Sequence, residues 1–91
     1  MTEIKTAKKI DAATAPKLDA QLKELLAAGE EEIIVNMEDT TYISSVGLRA
    51  FASAQKKINK TAGSMVLTNV QPCIKEIFEV TGFGGVLTIE G

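Results

Sequence analysis

The chain alternates two kinds of segment, and this alternation limits its possible folds more than any single residue does. Segments with apolar residues at every third or fourth position, each followed by a glycine, take turns with short runs of Ile, Val and Leu. Residues 13–28 carry Ala15, Leu18, Leu22, Leu25 and Leu26 at helical spacing. Thr14 stands at the N-cap, Pro16 falls in the first turn, and Gly29 is the expected left-handed terminator. The run Glu31-Glu32-Ile33-Ile34-Val35-Asn36-Met37 has no helical period and predicts a strand buried on both faces.

Residues 45–61 return to helical spacing through Leu48, Phe51, Ala52 and Ile58, with Lys56, Lys57 and Lys60 near the C-terminal end and Gly63 beyond it. Those lysines read as a solvated face. Ser64–Thr68 is a second strand. Pro72 opens a third helix with Ile74, Ile77 and Phe78 as its buried stripe, and Gly82 ends it. Val86-Leu87-Thr88-Ile89 reads as the last strand, and Ile4–Ile10 as a weaker edge strand. Helix and strand in alternation imply parallel strands joined by right-handed crossovers. The expected fold is α/β: one small domain over residues 1–91, with a mostly parallel four- to five-stranded sheet and three or four helices.

Composition narrows the chemistry. Ninety-one residues suffice for one domain. Three Phe, one Tyr and no Trp leave the core to aliphatic side chains. The absence of histidine removes Ser-His and Cys-His nucleophile pairs and most zinc chemistry. Neither a catalytic set, a metal site nor a cofactor is implied. A single cysteine, Cys73, cannot form an internal disulfide, which suits a reducing compartment. In the first turn of a helix, Cys73 reads as a small hydrophobe before it reads as a reactive thiolate. A net charge of −2 argues against nucleic acid, and no apolar run approaches the roughly 20 residues of a membrane span. The reading is a soluble, cytoplasmic, monomeric domain without direct membrane insertion.

In parallel sheets the working surface lies where strands lead into helix N-termini. The segment after Met37 stands out there, because Ser44 and Ser45 open a helix and Gly47 follows two residues later. One serine capping the helix and the other solvated would give the same pattern. Glycine is poor inside a first helical turn, and a use for it is to admit another molecule's backbone. No histidine or neighbouring lysine activates either serine as a nucleophile, and the stretch lacks the G-x-S-x-G elbow. A phosphoserine is tolerated at a helix N-terminus, and Arg49, four residues beyond Ser45, can offset its charge. Gly82-Phe83-Gly84-Gly85 lacks the spacing of a phosphate loop and reads as a turn, with Phe83 over the core. Tyr42 is expected against the second helix, and Glu30-Glu31-Glu32 is expected in a solvated loop.

The segment Tyr42-Ile43-Ser44-Ser45-Val46-Gly47-Leu48-Arg49 resembles the signature of STAS-domain proteins, the bacterial anti-sigma factor antagonists. Ile10-Asp11-Ala12-Ala13-Thr14-Ala15-Pro16 resembles the family's approach to its first helix, and the likeness continues through Gly63, Val66-Leu67 and Ile77-Phe78…Thr81-Gly82. The resemblance implies a non-enzymatic partner switch. The unphosphorylated protein binds an anti-sigma factor that is also a GHKL-type serine kinase, and a sigma factor is freed. Phosphorylation dissolves the complex and a PP2C-type phosphatase restores it. By the same resemblance Ser45 is the acceptor, with Ser44 a lesser candidate standing where the family has aspartate. Asp11, Tyr42, Ser44, Ser45, Val46, Gly47 and Arg49 form the partner face. Lys8 replaces a family glycine, and the stretch before the first helix is short for the family's usual two strands. The alternative is a STAS accessory subunit docked on a membrane transporter ATPase; a nucleotide-binding protein ranks last.

Overall fold

In the computed structural model, which describes residues 2–90, the elements follow the predicted alternation. They are β1 (Thr2–Lys5), β2 (Lys9–Ile10), α1 (Ala15–Ala27), β3 (Glu32–Asn36), β4 (Tyr42–Ile43), α2 (Ser45–Asn59), β5 (Ser64–Thr68), α3 (Pro72–Val80), a 3-10 turn (Phe83–Gly85) and β6 (Ile89–Glu90). The fold is a small α/β domain. Four strands form one sheet in the order β1-β3-β5-β6, and β2 and β4 form a second, two-stranded sheet. Each of these pairings is parallel.

The strand order explains where the core sits. The chain moves in one direction across the main sheet, through α1, then α2, then α3. Right-handed crossovers that always step the same way lay their helices on one face. Burial follows that rule: Ile33, Val35, Met65 and Leu67 are buried with Leu18, Leu22, Phe51, Ile58, Ile74 and Phe78 in one cluster. Their strand neighbours Ile34, Asn36, Val66 and Thr68 are half-buried on the opposite face, and Ile34 and Val66 do not belong to that cluster. The expectation that β3 is buried on both faces is therefore corrected: its apolar run packs on one side only.

Three boundaries also differ from the sequence reading. The expected strand over Ile4–Ile10 is two short strands in different sheets, because β1 pairs with β3 while β2 pairs with β4. The last strand is Ile89–Glu90, not Val86–Ile89. Val86 closes the 3-10 turn and Leu87 turns into the core, so pairing with β5 begins later. Helix α2 ends at Asn59, two residues early. Gly29 has φ of +81°, the left-handed geometry expected after α1, and Gly82, where α3 was expected to end, adopts the same geometry at +82°. Phe83 packs against the core as predicted.

Helix α2 is the central helix. Eight of its fifteen residues are buried, against three of thirteen in α1, so its position is fixed along most of its length. Gly47 shows how closely its first turn is held. A Cβ there would lie 2.6 Å from Ile10 Cγ2 and 2.9 Å from Ile43 Cγ1. The close approach that this glycine permits is thus internal, onto the β2–β4 sheet, rather than toward another molecule's backbone.

Candidate functional site

The β2–β4 sheet delivers the chain to the N-terminus of α2. Ile10 and Ile43 lie side by side in register, and the Ser44 N–H donates to the Ile10 carbonyl at 2.8 Å. Ser44 is extended (φ −89°, ψ 170°) and is the N-cap: its Oγ accepts the Gly47 N–H at 3.3 Å, and its carbonyl accepts the Leu48 N–H at 3.0 Å. Ser44 is half-buried with its hydroxyl engaged.

Ser45 is the first helical residue and is exposed. Its hydroxyl has no partner among the described residues, and neither do the N–H groups of Ser45 and Val46. These are two of the donors that helix geometry leaves unsatisfied. The first turn contains no acidic residue, so the positive end of the helix dipole is not offset within it. An anion attached at Ser45 Oγ would meet free donors and a favourable field.

The loop leading to β4 is anchored from behind. Thr40 is fully buried, and its hydroxyl donates to the Ala7 carbonyl at 2.7 Å and is hydrogen-bonded to the Thr6 hydroxyl. The Thr41 N–H donates to the Lys8 carbonyl at 2.8 Å, and the Thr6 N–H to the Asn36 carbonyl at 3.1 Å. The β1–β2 connection therefore holds the segment that presents the serines. Thr6 and Thr40, 34 residues apart, carry no sequence signal that would pair them.

Asp11 follows β2 as Ser44 follows β4, which places it beside the serines. Its Oδ1 accepts the Ala13 N–H at 3.0 Å and the Thr14 N–H at 3.1 Å. Those bonds, led by the one from Thr14, hold its carboxyl below the ordinary value of 3.8. The Asp11 carboxylate thus sits in helix-start geometry ahead of α1. Thr14 occupies the N-cap position of α1 without capping it; its hydroxyl instead accepts the Asp11 N–H and donates to the Lys9 carbonyl.

The surroundings of Ser45 are apolar and exposed. Tyr42 is 48% and Val46 46% accessible. Tyr42 was expected against α2, but strand alternation sends Ile43 inward and Tyr42 out. Arg49 lies one turn beyond Ser45 and is also exposed. Asp11, Tyr42, Ser44, Ser45, Val46 and Arg49 thus gather at one end of the molecule, while Gly47 lies beneath them. Cys73, read as a small hydrophobe, is exposed, with its Sγ 3.9 Å from the Thr41 carbonyl. Among the described residues no three His, Cys, Asp or Glu side chains cluster to hold a metal, and no helix is long and apolar enough to cross a membrane.

The chain is 30% identical over 80 residues to BtrV of Bordetella bronchiseptica, covering 88% of this chain and 69% of that protein. It is 29% identical over 87 residues to the anti-sigma-B factor antagonist of Staphylococcus aureus, covering 96% of this chain and 81% of the relative. The fold is similar to that of the anti-sigma factor antagonist SpoIIAA. Its unphosphorylated form superposes with a TM-score of 0.82 at 20% identity, covering 99% of this chain and 80% of that one. The phosphorylated form of SpoIIAA, from Bacillus, gives a TM-score of 0.76. Residues 2–90 match the family model described as the STAS domain, and the chain belongs to that family.

Proposed function

We propose that this protein is an anti-sigma factor antagonist that works as a phosphorylation-controlled binding module in the cytoplasm, with Ser45 as the switch. Its unphosphorylated form binds an anti-sigma factor that is also a serine kinase, and so frees a sigma factor. The kinase moves the γ-phosphoryl group of ATP to Ser45 Oγ; ADP and the hydroxyl proton leave. A PP2C-type phosphatase hydrolyses the ester and returns the hydroxyl.

The observation that carries this reading is the division of labour between two adjacent serines. Ser44 is half-buried and caps α2, whereas Ser45 is exposed with a free hydroxyl. A kinase can reach Ser45 without disturbing the cap, and the ester lands where helix donors tolerate it. Phosphorylation then adds about −1.5 to −2 charge to a surface flanked by exposed Tyr42 and Val46. If that surface is covered by a partner, leaving the charge poorly compensated costs about 2–5 kcal/mol, roughly thirtyfold to several-thousandfold in affinity. The domain does not have to refold to change partners.

The test uses purified GHKL-type anti-sigma factors encoded in the same genome. One of them should bind the wild-type chain and Ser45→Ala, and bind Ser45→Asp at least about thirtyfold more weakly. With ATP, the same kinase should add one phosphate, which fragmentation places on Ser45. Equal affinity of the Ala and Asp chains, or phosphate on Ser44, would overturn the assignment. Binding to a transporter ATPase, insensitive to Ser45→Asp, would move the protein to the accessory-subunit class.

A further inference from the structure

Beside Ser45, between α1 and α2, lies a cleft of about 350 Å³. Ala15, Ala50, Val46 and Ser53 line it, and Asp19 and Arg49 supply its charged groups. Ala15 and Ala50 are buried, so the floor is apolar and made of small side chains. Its two charges are not equivalent. The Asp19 carboxylate lies 2.9 Å from the Lys23 ammonium. Arg49 has neither an ion pair nor a hydrogen bond among the described residues. An apolar cleft with one unclaimed guanidinium is complementary to an apolar side chain flanked by a carboxylate.

Arg49 is also four residues C-terminal to Ser45. Helical side chains lean toward the N-terminus, and acid before base at this spacing is the favourable order. We propose that Arg49 is the residue through which phosphorylation controls this cleft. In the unphosphorylated chain its guanidinium pairs with a carboxylate of the anti-sigma factor, next to an apolar side chain seated between α1 and α2. Once Ser45 carries phosphate, the ester takes the guanidinium from the partner. The two anions compete for one cation, so the switch withdraws an attraction as well as adding a repulsion. The inference rests on Ser45 being the switch.

The first measurement needs no partner. Phosphoserine is incorporated during translation at position 45 of the full chain, and 31P NMR follows its second ionisation in otherwise wild-type protein and in Arg49→Ala. The phosphate should titrate about half a unit lower in the former, and the difference should close at about 1 M salt. Identical titration curves overturn the capture. The second measurement is the affinity of unphosphorylated Arg49→Ala and Ser53→Phe for the purified anti-sigma factor kinase. Each should bind about tenfold more weakly or worse. Should Ser53→Phe fail to fold, Val46→Ser, at an exposed position, opens the cleft wall instead and should weaken binding in the same direction. Unchanged binding by Arg49→Ala and by the folded cleft variant removes the proposed seat. Failure of the Ser45 reading looks different: Ser45→Asp then binds like wild type, whatever the 31P titration gives.

Discussion

Gly47 is the residue on which the geometry of the proposed switch most depends. Alanine would raise helix propensity by about 1 kcal/mol. It would also drive a methyl group to 2.6 Å from Ile10 Cγ2 and 2.9 Å from Ile43 Cγ1. Overpacking of this kind costs about 1–3 kcal/mol, so the clash outweighs the propensity gain. Gly47→Ala should lose up to about 2 kcal/mol in urea denaturation, and a stabilised variant would show that the α2 turn can slide off the β2–β4 sheet. Asp11 gives a prediction about pH. Its folded carboxyl titrates below 3.8 because the Thr14 and Ala13 N–H groups hold its charged form. The stability it adds is therefore present above that value and is lost as pH falls through the lowered folded value. Asp11→Asn, which keeps a capping oxygen without the charge, should melt below wild type near about pH 6. The gap should disappear in acid. A gap that persists in acid would assign the effect to shape rather than charge.

At the scale of elements, the serines are placed by a segment with little regular structure of its own. The connection from β3 to β4 is held by Thr40, whose hydroxyl meets the Thr6 hydroxyl and the Ala7 carbonyl inside the protein. Thr40→Val keeps the volume and removes those bonds, taking the acceptor from the buried Thr6 hydroxyl and the donor from the Ala7 carbonyl at a cost of about 1–3 kcal/mol. Amide exchange at Tyr42 and Ser44 should then accelerate while α3, packed elsewhere, stays protected. Uniform acceleration across the domain would mean that the pair stabilises the whole fold and does not act on the loop. The opposite end of the same helix is tied differently. Gln55 is buried, its Oε1 accepts the Thr88 N–H at 3.3 Å, and its Nε2 donates to Asn59 Oδ1 at 3.0 Å. Helix α2 is thus fastened to the β2–β4 sheet at its start and to the approach of β6 further along. A charge can be added to its first turn without releasing it.

At the scale of the molecule, the strand order β1-β3-β5-β6 makes one face of the sheet structural and leaves the other without helices. The consequence is measurable in adjacent residues of one strand. Ile33 points into the helix layer, and Ile33→Ala should cost about 2–5 kcal/mol. Ile34 points the other way and is half-buried, and Ile34→Ala should cost about 1 kcal/mol or less. For a domain of this size each kcal/mol moves the melting temperature by about 4–8 °C, so the two variants separate clearly in a thermal scan. Equal losses would mean that the second face is also packed. The asymmetry also gathers the candidate site: the helices share one side, and the N-terminus of α2 opens at the strand ends beside Asp11 and Tyr42.

Much of this was legible in the sequence, because local rules were strong wherever one element decided its own fate. Apolar spacing located the three helices, the glycine after α1 took the predicted left-handed turn, and Ser44-Ser45 marked the start of α2. The pairing of the N-terminal stretch was not legible. Two- and four-residue strands have too little pattern to show that β1 joins the main sheet and β2 the small one. One-sided burial was hidden for a related reason, since an Ile-Ile-Val run looks the same whether helices cover one face or two. What the sequence determined alone was the order of elements and the presence of two hydroxyls where α2 begins. Only the tertiary structure decided that Ser44 would be occupied and Ser45 free. That division depends on the Ile10 carbonyl, the Gly47 contact and the buried Thr6–Thr40 pair, contacts between residues brought together only when the chain closes on itself.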